Sequence, residues 1–206
     1  MKNANMSPSL TEENKSNSLD KQNHSHPLPQ GTSFFDQCVD TYLSLAGTFG
    51  SLPSFSDMQM CLGSEFFDSF SNDIGLLRAA LYRQKQHFFR IKAIDYDTIK
   101  ELFFDQIMLY LDLWLPHKKA YRTIILSALH APQVLRSLLD HHTSLLRHSL
   151  LSLKAPLPPW KRPIVIYTSL GILALTLRTW FEDESLDQGV TMAKLSELLD
   201  TCEGLL

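Results

Sequence analysis

The chain is short of cations where its helical pattern begins. Residues 34–77 contain no Lys or Arg, while Asp36, Asp40, Asp57, Glu65, Asp68 and Asp73 fall in the same window. A surface that grips nucleic acid needs cations facing phosphates, because phosphate contacts supply most of the affinity. A net charge of −3 over 206 residues supplies no global basic field either. Cysteine is scarce: Cys38, Cys61 and Cys202 are far apart and odd in number, which excludes a paired disulfide framework and suits a reducing, cytoplasmic setting. Glycine is scarce as well, with eight in the chain. There is no Gly-rich phosphate loop, no nucleophile elbow and no other arrangement that reads as catalytic, so the chain is not read as an enzyme. Residues 1–33 are polar, rich in Asn and Ser, and without an apolar run, which reads as a disordered tail rather than a signal peptide. Lys2, Lys15 and Lys21 are balanced there by Glu12, Glu13 and Asp20, so the tail is no basic arm.

What is present is helical periodicity. Phe35, Val39, Tyr42, Leu43 and Ala46 recur at three- and four-residue spacing, and the run from Gly47 to Gly50 ends that helix. Ser54 is placed as the N-cap of a short helix over Phe55–Leu62, with Gly63 as a left-handed stop. A short stretch over Ser64–Phe70 follows, and Ile74, Leu77, Leu81 and Phe88 mark a longer helix to about Lys92. Further helices are expected over Asp95–Leu115, His117–Leu129, Gln133–Leu153 and Trp160–Phe181, with a last one carrying Met192, Leu195, Leu198 and Leu199. Pro156, Pro158 and Pro159 make a loop before Trp160, because proline removes a donor and clashes with the preceding turn. No strand pattern competes. About nine helices in an all-α bundle is the expectation, divided as a tail (1–33), an N-terminal unit with a linking helix (34–92) and a C-terminal bundle (93–206).

The longest apolar stretch, Ile164–Leu177, is interrupted by Tyr167, Thr168, Ser169 and Thr176 and falls short of the ~20 residues a spanning helix needs. It reads as a helix buried on most sides, in a core or in a dimer interface, and not as a transmembrane segment. Ser169, Gly171 and Ala174, with Met192 and Leu195 on the last helix, are the residues placed at that interface in a homodimer. Phe103, Ile107, Tyr110, Trp114, Tyr121, His141 and Tyr167 are placed around a pocket among the C-terminal helices, for a small apolar or lipid-like ligand. Taken singly, each also reads as core. His24 and His26 lie in the tail, and His117, His130, His141 and His148 in the second half. Metal sites need about three or four converging ligands, which this spacing does not provide, so no metal or cofactor is assigned.

Three segments together resemble the TetR family of bacterial regulators. Phe34–Val39 running to Gly50 is similar to the family's opening helix. Phe67-Asp68-Ser69-Phe70 followed by Ser71-Asn72-Asp73 and Leu76-Leu77 is similar to the close of its helix-turn-helix. Trp180–Ser185 followed by Thr191-Met192-Ala193-Lys194-Leu195 is similar to its C-terminal pattern. The resemblance implies an N-terminal helix-turn-helix unit with Phe35, Val39, Phe67, Phe70 and Leu77 in its core. It also implies a ligand-binding and dimerising C-terminal bundle, and ligand-responsive transcriptional regulation. The chain departs from the family where bases are read. Only three residues separate Gly63 from Phe67, and Glu65 and Asp68 stand where phosphates would lie. Arg78, Arg83 and Lys85 on the following helix are the cations left to meet duplex DNA. A second resemblance is to TetR-like, lipid-binding proteins of ubiquinone biosynthesis that have lost DNA binding. It is carried by the Asp183-Glu184-Ser185-Leu186-Asp187 pattern, without that family's Trp-Tyr-x-x-Arg signature. A third possibility is an interaction module that pairs with an intact regulator.

Overall fold

A computed structural model describes residues 33–63, 70, 72–91, 95–185 and 187–206. Among these residues there are eight α-helices and no β-strand: α1 (Phe34–Phe49), α2 (Phe55–Leu62), α3 (Asp73–Arg90), α4 (Ile99–Trp114), α5 (Lys118–Ala128), α6 (Pro132–Ser149), α7 (Lys161–Glu182) and α8 (Gly189–Thr201). Short 3-10 turns at Leu115–His117 and Leu150–Ser152 follow α4 and α6. The all-α expectation holds. The stretch expected over Ser64–Phe70 lies, apart from Phe70, outside the described residues, as do most of the expected tail and Phe67.

Local chemistry sets the helix starts. Ser33 caps α1 by accepting from the Asp36 amide at 3.2 Å, and the helix begins at Phe34, where the helical pattern was expected to start. Ser54 and Asp57 form a reciprocal capping box on α2, and Thr98 and Glu101 form another on α4. The second box moves the start of α4 from the expected Asp95 to Ile99. Asn72 caps α3 through the Gly75 amide at 2.8 Å, and Pro132 opens α6, where its missing N–H is not needed. Each such cap is worth about 1 kcal/mol. Gly63 differs from the expected left-handed stop: its φ of 78° is positive, but its ψ of −166° lies in the region only glycine occupies readily.

The helices share one core. The described residues from Ser33 to Leu206 fall in a single compact unit. Cys38, Val39, Tyr42, Leu43 and Ala46 of α1 are buried, with α1 packed along α5 and α3 packed along α6. The expected boundary near residue 92 therefore runs through continuous packing. The centre is aromatic. Trp114 stacks on Tyr121 at 4.1 Å with rings nearly parallel (4°), Tyr110 lies 4.4 Å from Trp114, and Trp180 lies 6.4 Å away on the other side.

The turn between α7 and α8 is held by polar groups around Asp183. Its carboxylate accepts from the Thr191 amide (2.8 Å) and hydroxyl (2.7 Å), and from the Ser185 amide (3.0 Å) and hydroxyl. Burial alone would raise this carboxyl, but the four hydrogen bonds outweigh it and hold the pKa far below the usual range. Gln188 adopts a positive φ of 55°, a conformation that costs a non-glycine residue energy. It is fixed there by accepting from Trp180 Nε1 at 2.8 Å and donating to Asp112 at 2.7 Å. The Asp-x-Ser and Thr residues of the C-terminal motif thus have a structural task. Asp183→Ala should lower unfolding free energy by about 2 kcal/mol, since hydrogen bonds to a charged group carry that order of energy. Urea denaturation at neutral pH checks this; an unchanged midpoint would remove the latch role. The contribution is present above the unfolded carboxylate pKa of about 3.9 and is lost as pH falls below it.

Candidate ligand site

The residues expected to line an internal pocket are brought together and packed solid. Phe103, Ile107, Tyr110, Trp114, Tyr121 and His141 are all buried, on α4, α5 and α6. The void beside Tyr110 and His142 measures about 20 Å³, room for about one water. The Tyr110 hydroxyl and His142 Nε2 are 2.8 Å apart, while His141 Nε2, Trp114 Nε1 and Ser169 Oγ are buried without a hydrogen-bond partner. Tyr167 does not join this group. It is 72 % exposed, because it projects from the face of α7 opposite the core.

Tyr167 instead lines a groove of about 450 Å³ at the other end of α7. The chain builds this groove in order. Helix α6 tightens into the 3-10 turn Leu150–Ser152, and Leu153 then becomes extended. A single parallel β-bridge, with Tyr96 N donating to Ser152 O (3.0 Å) and Lys154 N to Tyr96 O (3.1 Å), pins that extension to the segment before α4. Pro156, Pro158 and Pro159 carry the chain across to α7. Arg162 Nε donates back to Leu157 O at 3.3 Å. Leu150, Leu153, Leu157 and Ile166 supply apolar wall, and Arg147 and Arg162 supply cations. Both arginines are exposed, and Arg147 has no ion pair or hydrogen bond among the described residues. An apolar cleft of this volume with a few convergent polar groups is the usual form of a small-molecule site. Two other clefts, of about 390 and 360 Å³, are lined by more polar sets that include Arg83, His87, Asp112 and His117 in one and Arg90, Asp105 and His148 in the other.

A sequence signal for the groove existed. Residues 141–181 contain no Asp or Glu, but they carry Arg147, Lys154, Lys161, Arg162 and Arg178. This stretch is the inverse of the cation-free window at 34–77. Lys154 is paired with Asp97 at 2.8 Å; Arg147 and Arg162 form no ion pair.

The cations assigned to DNA are mostly occupied elsewhere. Arg83 reaches Asp40 at 2.7 Å and Asp36 at 3.8 Å, and it donates to the Asp36 carbonyl at 3.3 Å. Lys85 donates to Ser144 Oγ on α6 at 2.8 Å and lies over the Phe89 ring. Both side chains, expected to face phosphate, have partners on the protein's own helices. Arg78 alone of the three is exposed without a partner among the described residues. Of the expected helix-turn-helix core, Val39 and Leu77 are buried, and Phe35 is partly exposed and stacks on Phe70 with ring centroids 6.3 Å apart.

The expected dimer residues divide. Ser169 and Leu195 face the chain's own core and are buried, so they are unavailable to a second copy. Gly171, Ala174 and Met192 are exposed, beside exposed Leu175 and Val190. Helix α7 contains an 18-residue window with a mean hydropathy of 1.5 and is long and apolar enough by length and composition to cross a membrane. Eight of its residues, from Val165 to Trp180, nevertheless pack into the core. No group of three His, Cys, Asp or Glu converges among the described residues. Comparison with family models, curated proteins and solved structures finds no match to the chain.

The buried histidines give a testable pH dependence. Burial, aided by nearby Lys85, lowers His141 to about 4, and burial next to His141 holds His142 well below its ordinary value. Between the unfolded value near 6.5 and the folded value, only the unfolded chain takes up the proton. Stability is therefore full above pH ~6.5 and falls as pH drops, by about 1.4 kcal/mol per pH unit for each such histidine. Urea midpoints measured from pH 7 to pH 4.5 should decline, and His141→Gln should flatten the decline. Equal slopes in the two proteins would show that His141 is not held neutral.

Proposed function

We propose that this protein binds a small amphipathic molecule in the groove between α6 and α7, and that its N-terminal helices do not read DNA. The groove itself carries the proposal: about 450 Å³ with leucine and isoleucine walls and two arginines outside any ion pair. A chain of twelve or so carbons with an anionic head has the matching chemistry, its carboxylate meeting guanidinium and its chain meeting leucine.

The TetR-like resemblance implies two roles, ligand-responsive regulation and lipid binding without DNA, the latter as an accessory protein of the type found in ubiquinone biosynthesis. The second accords better with the charges. Residues 34–77 have no Lys or Arg, and Arg83 and Lys85 are tied to Asp40 and Ser144. The exposed Arg78 is what remains in favour of the regulator.

Dodecanoate, below its micellar concentration, is the probe we expect to bind saturably. Trp160 is 70 % exposed at the groove's end and adjoins the groove-lining Pro159, so its emission should shift to the blue, and Trp160→Phe should abolish the change. Arg147→Gln with Arg162→Gln should weaken binding by about tenfold or more, the loss expected for charge-assisted hydrogen bonds. A linear, non-saturable response would refute the groove as a site. In parallel, duplex DNA at low salt should give no salt-sensitive complex; a steep salt dependence would restore the regulator reading.

A further inference from the structure

The same end of the molecule exposes large apolar side chains that the groove does not need. Leu151 is 76 % exposed, and Trp160 at the cap of α7 and Ile164 and Tyr167 within it follow at spacings of four and three residues, all exposed. Leu151 and Tyr167 also line the groove, so the patch and the groove mouth are continuous. Lys161, Arg162 and Arg147 border the patch, and no carboxylate from the chain segment 141–181 dilutes them. Asp140, just before the segment, pairs with Arg136, and Asp97, brought near by the Tyr96–Leu153 bridge, pairs with Lys154, while Glu182 follows the segment at the far end of α7. Exposed apolar side chains ringed by polar groups mark an interaction surface. Tryptophan and tyrosine beside lysine and arginine suit one partner in particular, the headgroup layer of an anionic bilayer, where rings sit at the interface and cations meet lipid phosphate.

We propose that this face docks on an anionic lipid bilayer, with Leu151, Trp160, Ile164 and Tyr167 entering the headgroup layer and the groove mouth opening onto the lipid. The proposal extends the amphiphile reading: a protein that takes a lipid-like molecule from a membrane needs its site at the surface it touches. A second copy of the chain is the rival occupant, but its own Arg147, Lys161 and Arg162 would bring like charges to the contact.

Flotation of the full-length protein with vesicles tests this. The protein should float with phosphatidylcholine vesicles that contain about one-third phosphatidylserine, and it should stay behind with phosphatidylcholine alone. Leu151→Ala with Trp160→Ala, both at exposed positions, should abolish flotation while circular dichroism and the melting temperature stay unchanged. Arg147→Gln with Lys161→Gln should reduce partitioning by about 25-fold, roughly fivefold per cation. No flotation on the anionic vesicles overturns the proposal, as does flotation that neither pair of substitutions alters. Sedimentation velocity gives a further check: a dimer that Trp160→Ala dissociates would assign the face to a second copy and overturn membrane docking. The dodecanoate titration reads the groove without a membrane, so saturable binding there with no flotation would end this proposal alone.

Discussion

The stack of Trp114 on Tyr121 is the contact on which the rest of the arrangement depends. It joins α4 to α5, extends through Tyr110 and His142 to α6, and reaches Trp180 on α7. Four helices therefore converge on rings that fill the centre. A side chain the size of tryptophan at the middle of a small bundle leaves no interior volume for a ligand, and the residual void is about 20 Å³. The groove of about 450 Å³ lies instead at the end of α6, where the proline-containing connection runs across to α7.

Charge is segregated to match. The acidic N-terminal window spends Asp36 and Asp40 on Arg83, so one of the few cations near it is neutralised. The segment from His141 to Phe181 keeps its cations without acids of its own. Of these cations, Arg147 and Arg162 stand beside the apolar groove, while Lys154 is paired with Asp97. Fixed cations beside apolar walls favour a molecule with both characters, and they act over about 10 Å at ordinary ionic strength.

Much of the secondary structure was legible. The box at Ser54 and Asp57, the proline at the start of α6 and the proline run before α7 are local instructions, and they act over three or four residues. Tertiary placement was not legible. An aromatic residue on an apolar helix face looks the same in sequence whether it meets another ring or an empty pocket. That ambiguity grouped the exposed Tyr167 with the buried Tyr110. Similarly, Arg83 finds its partners 43 and 47 residues away and Lys85 finds Ser144, so neither pairing leaves a mark in helical periodicity. Ser169 and Leu195 were assigned to a second copy because their helices are apolar on several sides; the core of the single chain takes them first. The groove was missed although its signal, a long stretch without carboxylates, was visible.

Hydrogen–deuterium exchange with and without dodecanoate tests the central claim most directly, because it locates the ligand without presuming a site. The account predicts slowed exchange confined to residues 147–167, the end of α6, the proline loop and the first turns of α7. Protection centred instead on α4 and α5 around Trp114 would mean that the aromatic centre opens to admit the ligand, and would contradict the claim that it is packed shut.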